Sequence, residues 1–247
     1  MPKVGVLLSG CGVQDGSEIY EAVLTILALE KGGATVQAMA PDTEQAHVVN
    51  HYTGDEARSE TRGESRGVLA ESARIVRGKI MSTSEVSAHE LDALVIIGGY
   101  GALKNLCTYA ADGDAATVNA DVARLVQEMH GLGKPIGAMC VAPVVVALAL
   151  RGKNPTMTVG SDATTSLGLT RIGAQHSVTG VDEVYVDAPN KIVSTAAFML
   201  AQSASEAEPG INKLVELVLQ MAREMTPGNP SAQTTQTTVI GPDSSAA

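Results

Sequence analysis

Aromatic side chains are nearly missing from this 247-residue chain: they make up 2%, with no Trp and a single Phe. Apolar residues still reach 45%, so a core has to be assembled from Ala, Val, Leu, Ile and Met. So few rings leave few stacking platforms for bases, which argues against a single-strand nucleic-acid binder. Basic residues are also in deficit, 17 against 27 acidic, for a formal charge of −10. Such a surface repels a phosphate backbone and keeps a soluble protein dispersed. Cysteine is scarce: Cys11, Cys107 and Cys140 are the whole set. An odd count without paired spacing excludes a disulfide framework and a zinc site, and points to a reducing compartment. No apolar run approaches membrane-spanning length, and the apolar part of MPKVGVLLSGCG is too short for a signal peptide. The expectation is a soluble, cytoplasmic protein that binds neither nucleic acid nor membrane and holds no metal.

What is present is an alternation of short apolar runs with helical segments. Val4–Ser9 is a continuous apolar run closed by Gly10, the signature of a strand buried on both faces. A helix follows over roughly Ser17–Lys31, with Ser17 or Asp15 as its cap and Gly32-Gly33 as its stop. Ala34–Ala40 reads as a second strand, Ala93–Ile97 as a third and Pro135–Met139 as a fourth. Helices are expected over Val118–Leu132, Val141–Leu150 and Ile211–Met225. Shorter strands are expected at Met157–Val159, Glu183–Asp187 and Lys191–Thr195. Repeated β-then-α units with fully apolar strands predict an α/β sandwich, a mostly parallel sheet with helices on both faces. The polar stretch 42–90 reads as an insertion with one or two helices on the sheet's rim, within one domain over residues 1–225. Residues 226–247, rich in Thr, Ser, Pro, Gly and Gln, read as a disordered tail.

Cys140 stands where one apolar run stops and the next begins, in GAMCVAP. A strand running straight into a helix must turn sharply, and in an open α/β sheet that turn faces the ligand crevice. Small residues two before and two after the central one, Ala138 and Ala142, fit a nucleophile elbow. A thiol there meets the positive end of a helix, which lowers its pKa and favours the thiolate. The bland alternative is a core cysteine that fills space. Glu21 lies inside the apolar run of the first helix, where a carboxylate is costly unless paired or protonated. A protonated Glu21 near the sheet's carboxyl edge can donate to a thiolate or move a proton; the alternative is a side chain reaching solvent. Gly98, Gly99, Tyr100 and Gly101 form a glycine-rich turn whose N–H groups, with that of Val141, suit a developing oxyanion.

SGCGVQDGSEIYEAV, ESARIVRG, GGYGALKNLC, GAMCVAP, APNKIV and FMLAQSASEAEPGINKLV together resemble the ElbB-type group of the ThiJ/PfpI superfamily, related to class I glutamine amidotransferases. The resemblance runs from about residue 3 to 222. It implies a flavodoxin-like sandwich, a nucleophile at Cys140 and a partner carboxylate at Glu21. It also implies a cofactor-independent glyoxalase that turns a small aldehyde, glyoxal or methylglyoxal, into a 2-hydroxy acid. A link to isoprenoid biosynthesis and a homodimer belong to the same implication. A superfamily histidine is sought at His176, in IGAQHSV, against the alternative of a hydrogen-bonded loop histidine. No His-x-Glu occurs after Cys140, which speaks against glutamine hydrolysis. Cys11, at the same edge, is a candidate site residue and a candidate partner for an oxidised Cys140. Cys107 reads as inert packing. The competing reading is a redox-responsive protein in which Cys140 oxidises without turnover.

Overall fold

The computed structural model describes residues 1–55 and 65–225. In chain order the regular elements are β1 (Lys3–Leu7), α1 (Ile19–Lys31), β2 (Thr35–Ala40), α2 (Val68–Ile75), β3 (Met81–Ser82) and β4 (Ala93–Ile96). Then come α3 (Tyr100–Lys104), α4 (Tyr109–Asp112), α5 (Ala120–Gly131), β5 (Ile136–Met139), α6 (Pro143–Ala149) and β6 (Thr156–Met157). The chain continues with α7 (Ala163–Arg171), β7 (Gln175–His176), β8 (Val184–Asp187), β9 (Ile192–Thr195) and α8 (Ala204–Glu224).

The central sheet has seven strands in the order β3-β2-β1-β4-β5-β9-β8. All neighbours run parallel except β8, which pairs antiparallel with β9. The three central strands are short apolar segments with almost no exposed residue, as strands covered on both faces must be. Helices α1 and α8 pack together on one face, while α5 and α6 cover the other. A side chain at Gly137 of β5 would run into Leu214 at 2.8 Å, so the bare backbone is what lets α8 lie close on the sheet. The expected doubly covered, mostly parallel sheet is the observed fold.

Several elements differ from the sequence expectation. Helix α8 starts seven residues earlier than the apolar rhythm alone suggests; it is capped by Ser203 and carries Pro209 inside it, where the missing N–H leaves the carbonyl one turn back without its helical bond. Helix α7 was not expected; Asp162 caps it, and its Thr- and Gly-rich sequence has little propensity of its own. The strand near Met157 exists, but β6 pairs with β7 in a separate two-stranded sheet. The segment 42–90 holds α2, two single-turn helices and β3, which joins the sheet at its edge; residues 56–64 of it lie outside the described residues. The expected tail, 226–247, lies outside them too. Finally, α1 is not buried all round. Ile19, Tyr20, Val23 and Leu27 are 41–58% exposed, and only one side, with Glu21, Ala22, Thr25 and Leu29, faces inward.

Candidate active site

The carboxyl ends of β1, β4, β5 and β9, four neighbouring strands, deliver four segments to one place. These are the loop 10–18, the turn 98–100, Cys140, and the turn 196–199. In such a sheet this edge is where ligands bind.

Cys140 follows β5 directly and has φ 55°, left-handed backbone that a residue with a Cβ adopts at a cost of about 1–3 kcal/mol. Its N–H donates to Thr195 O at 3.1 Å, and Pro143 opens α6 three residues on. The strained turn therefore holds the thiol at the strand-to-helix junction, as the sequence predicts. Only 6% of Cys140 is exposed.

Glu21 is fully buried against it. Its Oε2 accepts the Gly98 N–H at 3.0 Å, its Oε1 accepts the Phe198 N–H at 3.3 Å, and its carboxyl is hydrogen-bonded to the Cys140 thiol. Burial pushes the carboxyl up to about 8; the charge of Glu18 adds to this, and the three hydrogen bonds oppose it. Burial also raises the thiol well above its ordinary value, the Glu21 charge adds to that, and the N–H groups of Gly99 and Val141 pull the other way. The expected lowering of the thiol pKa by the helix end is thus outweighed: desolvation beside a carboxyl dominates. What the pair resists is carrying two negative charges. With the proton on Glu21, a thiolate at Cys140 has three donors: the carboxyl, Gly99 N–H and Val141 N–H.

The glycine-rich turn does less of the anion binding than expected. Gly98 N–H serves Glu21, Tyr100 N–H donates to Val13 O at 2.7 Å, and Gly101 N–H donates to Gly16 O at 3.0 Å. Tyr100 and Gly101 are therefore clamps for the loop 10–18, not oxyanion donors. Gly99 and Val141 remain aimed at sulfur. Gly98 has to lack a side chain, since a Cβ there would lie 2.5 Å from Cys140 Cβ and 2.6 Å from Glu21 Oε2.

Glu18, not Ser17 or Asp15, caps α1: its Oε2 accepts the Glu21 N–H at 2.7 Å while its own N–H donates to Gly98 O at 3.0 Å. Ser17 instead turns its hydroxyl to the Ser9 N–H at 2.8 Å. Asp15 is buried and holds the Val49 N–H at 2.7 Å. Asn105 ties Ser9 O and Asp15 O together at 2.7 and 2.8 Å. The loop is thereby fixed over the turn. Glu18 is legible as a second acid at the start of the first helix, three residues before Glu21. Phe198 is not, because its N–H is aimed by Ala197, a buried residue with φ 44°, and nothing in the local sequence announces that backbone.

His176 is placed elsewhere. It lies on β7; burial lowers its pKa, and a hydrogen bond with the Gly160 backbone works the other way. Its Nε2 has no hydrogen-bond partner among the described residues. It is not among the groups that act on the Cys140 thiol. Cys11 is half-buried and free, and it lines a cleft of about 520 Å3 with Ser65, Arg66, Glu71 and Arg74. Cys107 is buried, its thiol pushed up to about 11, and it donates to Ala102 O at 3.4 Å: packing, as read from the sequence. Among the described residues no group of His, Cys, Asp and Glu is arranged to hold a metal ion.

Comparison with known proteins identifies the family. The DJ-1/PfpI family model matches residues 11–202, a span that contains Glu21, Gly98, Cys140 and Phe198. The human "Glutamine amidotransferase-like class 1 domain-containing protein 3, mitochondrial" is 44% identical over 228 residues, 89% of this chain and 83% of the human one. The rat "ES1 protein homolog, mitochondrial" is 43% identical, covering 89% of this chain and 84% of its own. The crystal structure of an isoprenoid biosynthesis protein with amidotransferase-like domain from Ehrlichia chaffeensis superposes with a TM-score of 0.80. That structure is 32% identical, over 88% of this chain and 99% of its own. The chain belongs to the DJ-1/PfpI family.

Proposed function

We propose that this protein is a cofactor-independent glyoxalase of the ElbB type, which converts glyoxal or methylglyoxal to a 2-hydroxy acid. The observation that carries the reading is the buried hydrogen bond between a strained cysteine and a carboxyl that holds its proton up to about pH 8. The Cys140 sulfur adds to the aldehyde carbon. Ionised Glu21 takes the thiol proton and hands it to the new oxygen, which gives a hemithioacetal and leaves Glu21 ionised again. Ionised Glu21 then removes the hydrogen from that carbon, and the electrons form an enediol. Protonation at the adjacent carbon leaves a thioester of a 2-hydroxy acid. Water cleaves the thioester, releases the acid and restores the thiol. Gly99 and Val141 N–H groups, already turned to this spot, steady the negative charge at each stage.

A second reading rests on the same donors. A protonated Glu21 and two N–H groups around sulfur also stabilise an oxidised Cys140, which suits a redox-responsive protein. The deciding experiment is conversion of glyoxal and methylglyoxal to hydroxy acid by purified protein and by Cys140→Ala, with the product identified by NMR. Multiple turnovers lost in the variant support the enzyme. A folded wild type that makes no acid moves the choice to the redox reading. The isoprenoid link is part of the proposal and is supported by the description of the Ehrlichia protein. So is a reducing compartment, the cytoplasm on the reading of this sequence; the rat and human relatives carry mitochondrial in their names.

A further inference from the structure

Two carboxyls, not one, meet at the head of α1. Glu18 and Glu21 are three residues apart, which sets them on one face of the first turn. Both are buried, Glu21 completely. A closed set of hydrogen bonds joins them through Gly98. Glu18 Oε2 accepts the Glu21 N–H at 2.7 Å, Glu18 N–H donates to Gly98 O at 3.0 Å, and Gly98 N–H donates to Glu21 Oε2 at 3.0 Å. Two carboxyls in one dry place resist being charged together, so their surroundings decide which ionises first. Glu18 sits on the N–H groups of Ile19, Tyr20 and Glu21, at the helix end that favours negative charge. Burial lifts its carboxyl above the ordinary value and those N–H groups oppose the lift. Glu21 has two N–H groups and a thiol that is itself an acid; burial, with the Glu18 charge, takes it up to about 8. Glu18 therefore ionises first and Glu21 keeps its proton. Among the described residues no cation acts on Glu21: what reaches it from the sheet is the Cys140 thiol and the N–H groups of Gly98 and Phe198. Tyr100, the titratable side chain of the turn 98–100, is 55% exposed, and α6 is apolar throughout. Asp15, in the loop 10–18, holds the Val49 N–H and lies 3.8 Å from His51. In the groove between α1 and α8 the charged groups, Lys31, Glu208, Glu216 and Arg223, lie beside Leu24, Leu27 and Ala28, farther along the helix.

We propose that Glu18 is a positioning residue of the reaction: its buried carboxylate, held at the head of α1 by the helix's own N–H groups, keeps the proton on Glu21 and sets the pH at which Glu21 becomes a base. This rests on the glyoxalase reading, which makes Glu21 that base, and adds the group that controls it. Glu18 is not among the groups that act on the Cys140 thiol, so it works through Glu21. Fewer sites are ionised at neutral pH as a result, but each is a stronger base toward a carbon-bound hydrogen.

The test is a pH series of hydroxy acid formation from methylglyoxal by the wild type, Glu18→Gln and Glu18→Asp. Beside it, the protonated Glu21 carboxyl is titrated by infrared spectroscopy, its band identified by its loss in Glu21→Gln. Glu18→Gln keeps an oxygen for the α1 N–H groups and removes the charge. Its kcat should rise at lower pH than that of the wild type, so that turnover at about pH 6, relative to that at about pH 9, increases about threefold or more. The plateau at high pH should fall, because the base is weaker. The Glu21 band should vanish at correspondingly lower pH. Glu18→Asp keeps both the charge and the cap and should restore the wild-type profile. If Glu18→Gln does not fold, Glu18→Asn and Glu18→Asp form a second pair that differs in charge alone, both side chains being favoured at a helix cap, and the same separation is expected between them. A purely structural cap lowers turnover by one factor at every pH and leaves the band in place; that result overturns the inference. A band that moves in a protein making no hydroxy acid upholds the control of the Glu21 proton and defeats the glyoxalase reading. A band that stays in place in an active enzyme does the reverse, and neither movement nor turnover defeats both.

Discussion

Glu21 makes the site's behaviour with pH predictable. Its folded pKa, about 8, lies above the ordinary 4.5 because burial disfavours its charge. The reaction needs the ionised form to remove a carbon-bound hydrogen, and at pH 7 only about one site in ten is ionised. Turnover is therefore expected to rise with pH and level off above about 8. Glu21→Gln should abolish that rise and cost about 10^2–10^4-fold in kcat, measured by hydroxy acid formation. The same shift governs stability. An unfolded Glu21 ionises near 4.5 and the folded one near 8, so between these values the folded state binds the extra proton. Stability must then fall as pH rises through that window, by on the order of a few kcal/mol, and be unaffected below it. Glu21→Gln should raise Tm at pH 8 clearly more than at pH 4, a comparison that thermal melts at the two pH values make directly. An equal change at both would remove desolvation of this carboxyl as the cause.

Among the elements, the turn 98–100 leaves no room for a side chain at Gly98. A methyl at Gly98 would meet both the Cys140 Cβ and the Glu21 carboxyl, neither of which can withdraw. Gly98→Ala is expected to destabilise by about 1–3 kcal/mol and to separate thiol from carboxyl, seen as lost turnover with far-UV circular dichroism retained. Removing Asn105, the clamp on Ser9 O and Asp15 O, should loosen the loop 10–18, so that protease cleaves Asn105→Ala within it faster than the wild type. The sequence displayed Cys140 and Glu21 because both break a pattern: a thiol at the end of a strand, an acid in an apolar helix. It displayed the buried strands for the same reason, since continuous apolar runs closed by Gly and Pro have few other uses. It could not display which N–H groups of GGYG were free, because Val13 O and Gly16 O come from a loop eighty residues away and take two of them. Nor could it display α7, whose ordering comes from its cap and its packing. The direction of the thiol's pKa was missed because helix position is local, while burial beside Glu21 is a property of the assembled sheet.

For the molecule as a whole, the open side of α1 is the feature that asks for a partner. Ile19, Val23 and Leu27 are spaced four apart and exposed, a row that maps onto itself when a second α1 is laid antiparallel across Val23. A homodimer is proposed on that row, as a two-fold contact repeats one patch on both copies. Val23→Glu is expected to convert it to a monomer of 25.4 kDa in light scattering. A wild type that is already monomeric, or a variant that stays dimeric, would refute this contact. The borders of the sheet also restrict how copies can meet. On one side it ends in β3, with two residues. On the other it ends in β8, whose Asp187 reaches across to the Thr156 N–H at 2.8 Å in β6. A two-residue border gives an incoming strand almost nothing to zip against, and the opposite border is engaged by the chain's own small sheet. Copies of this protein are thus steered away from joining sheet to sheet, the route by which β-rich chains grow into fibres. Contact is left to the helical layers, so an assembly of this fold should stay closed and countable even when the protein is crowded.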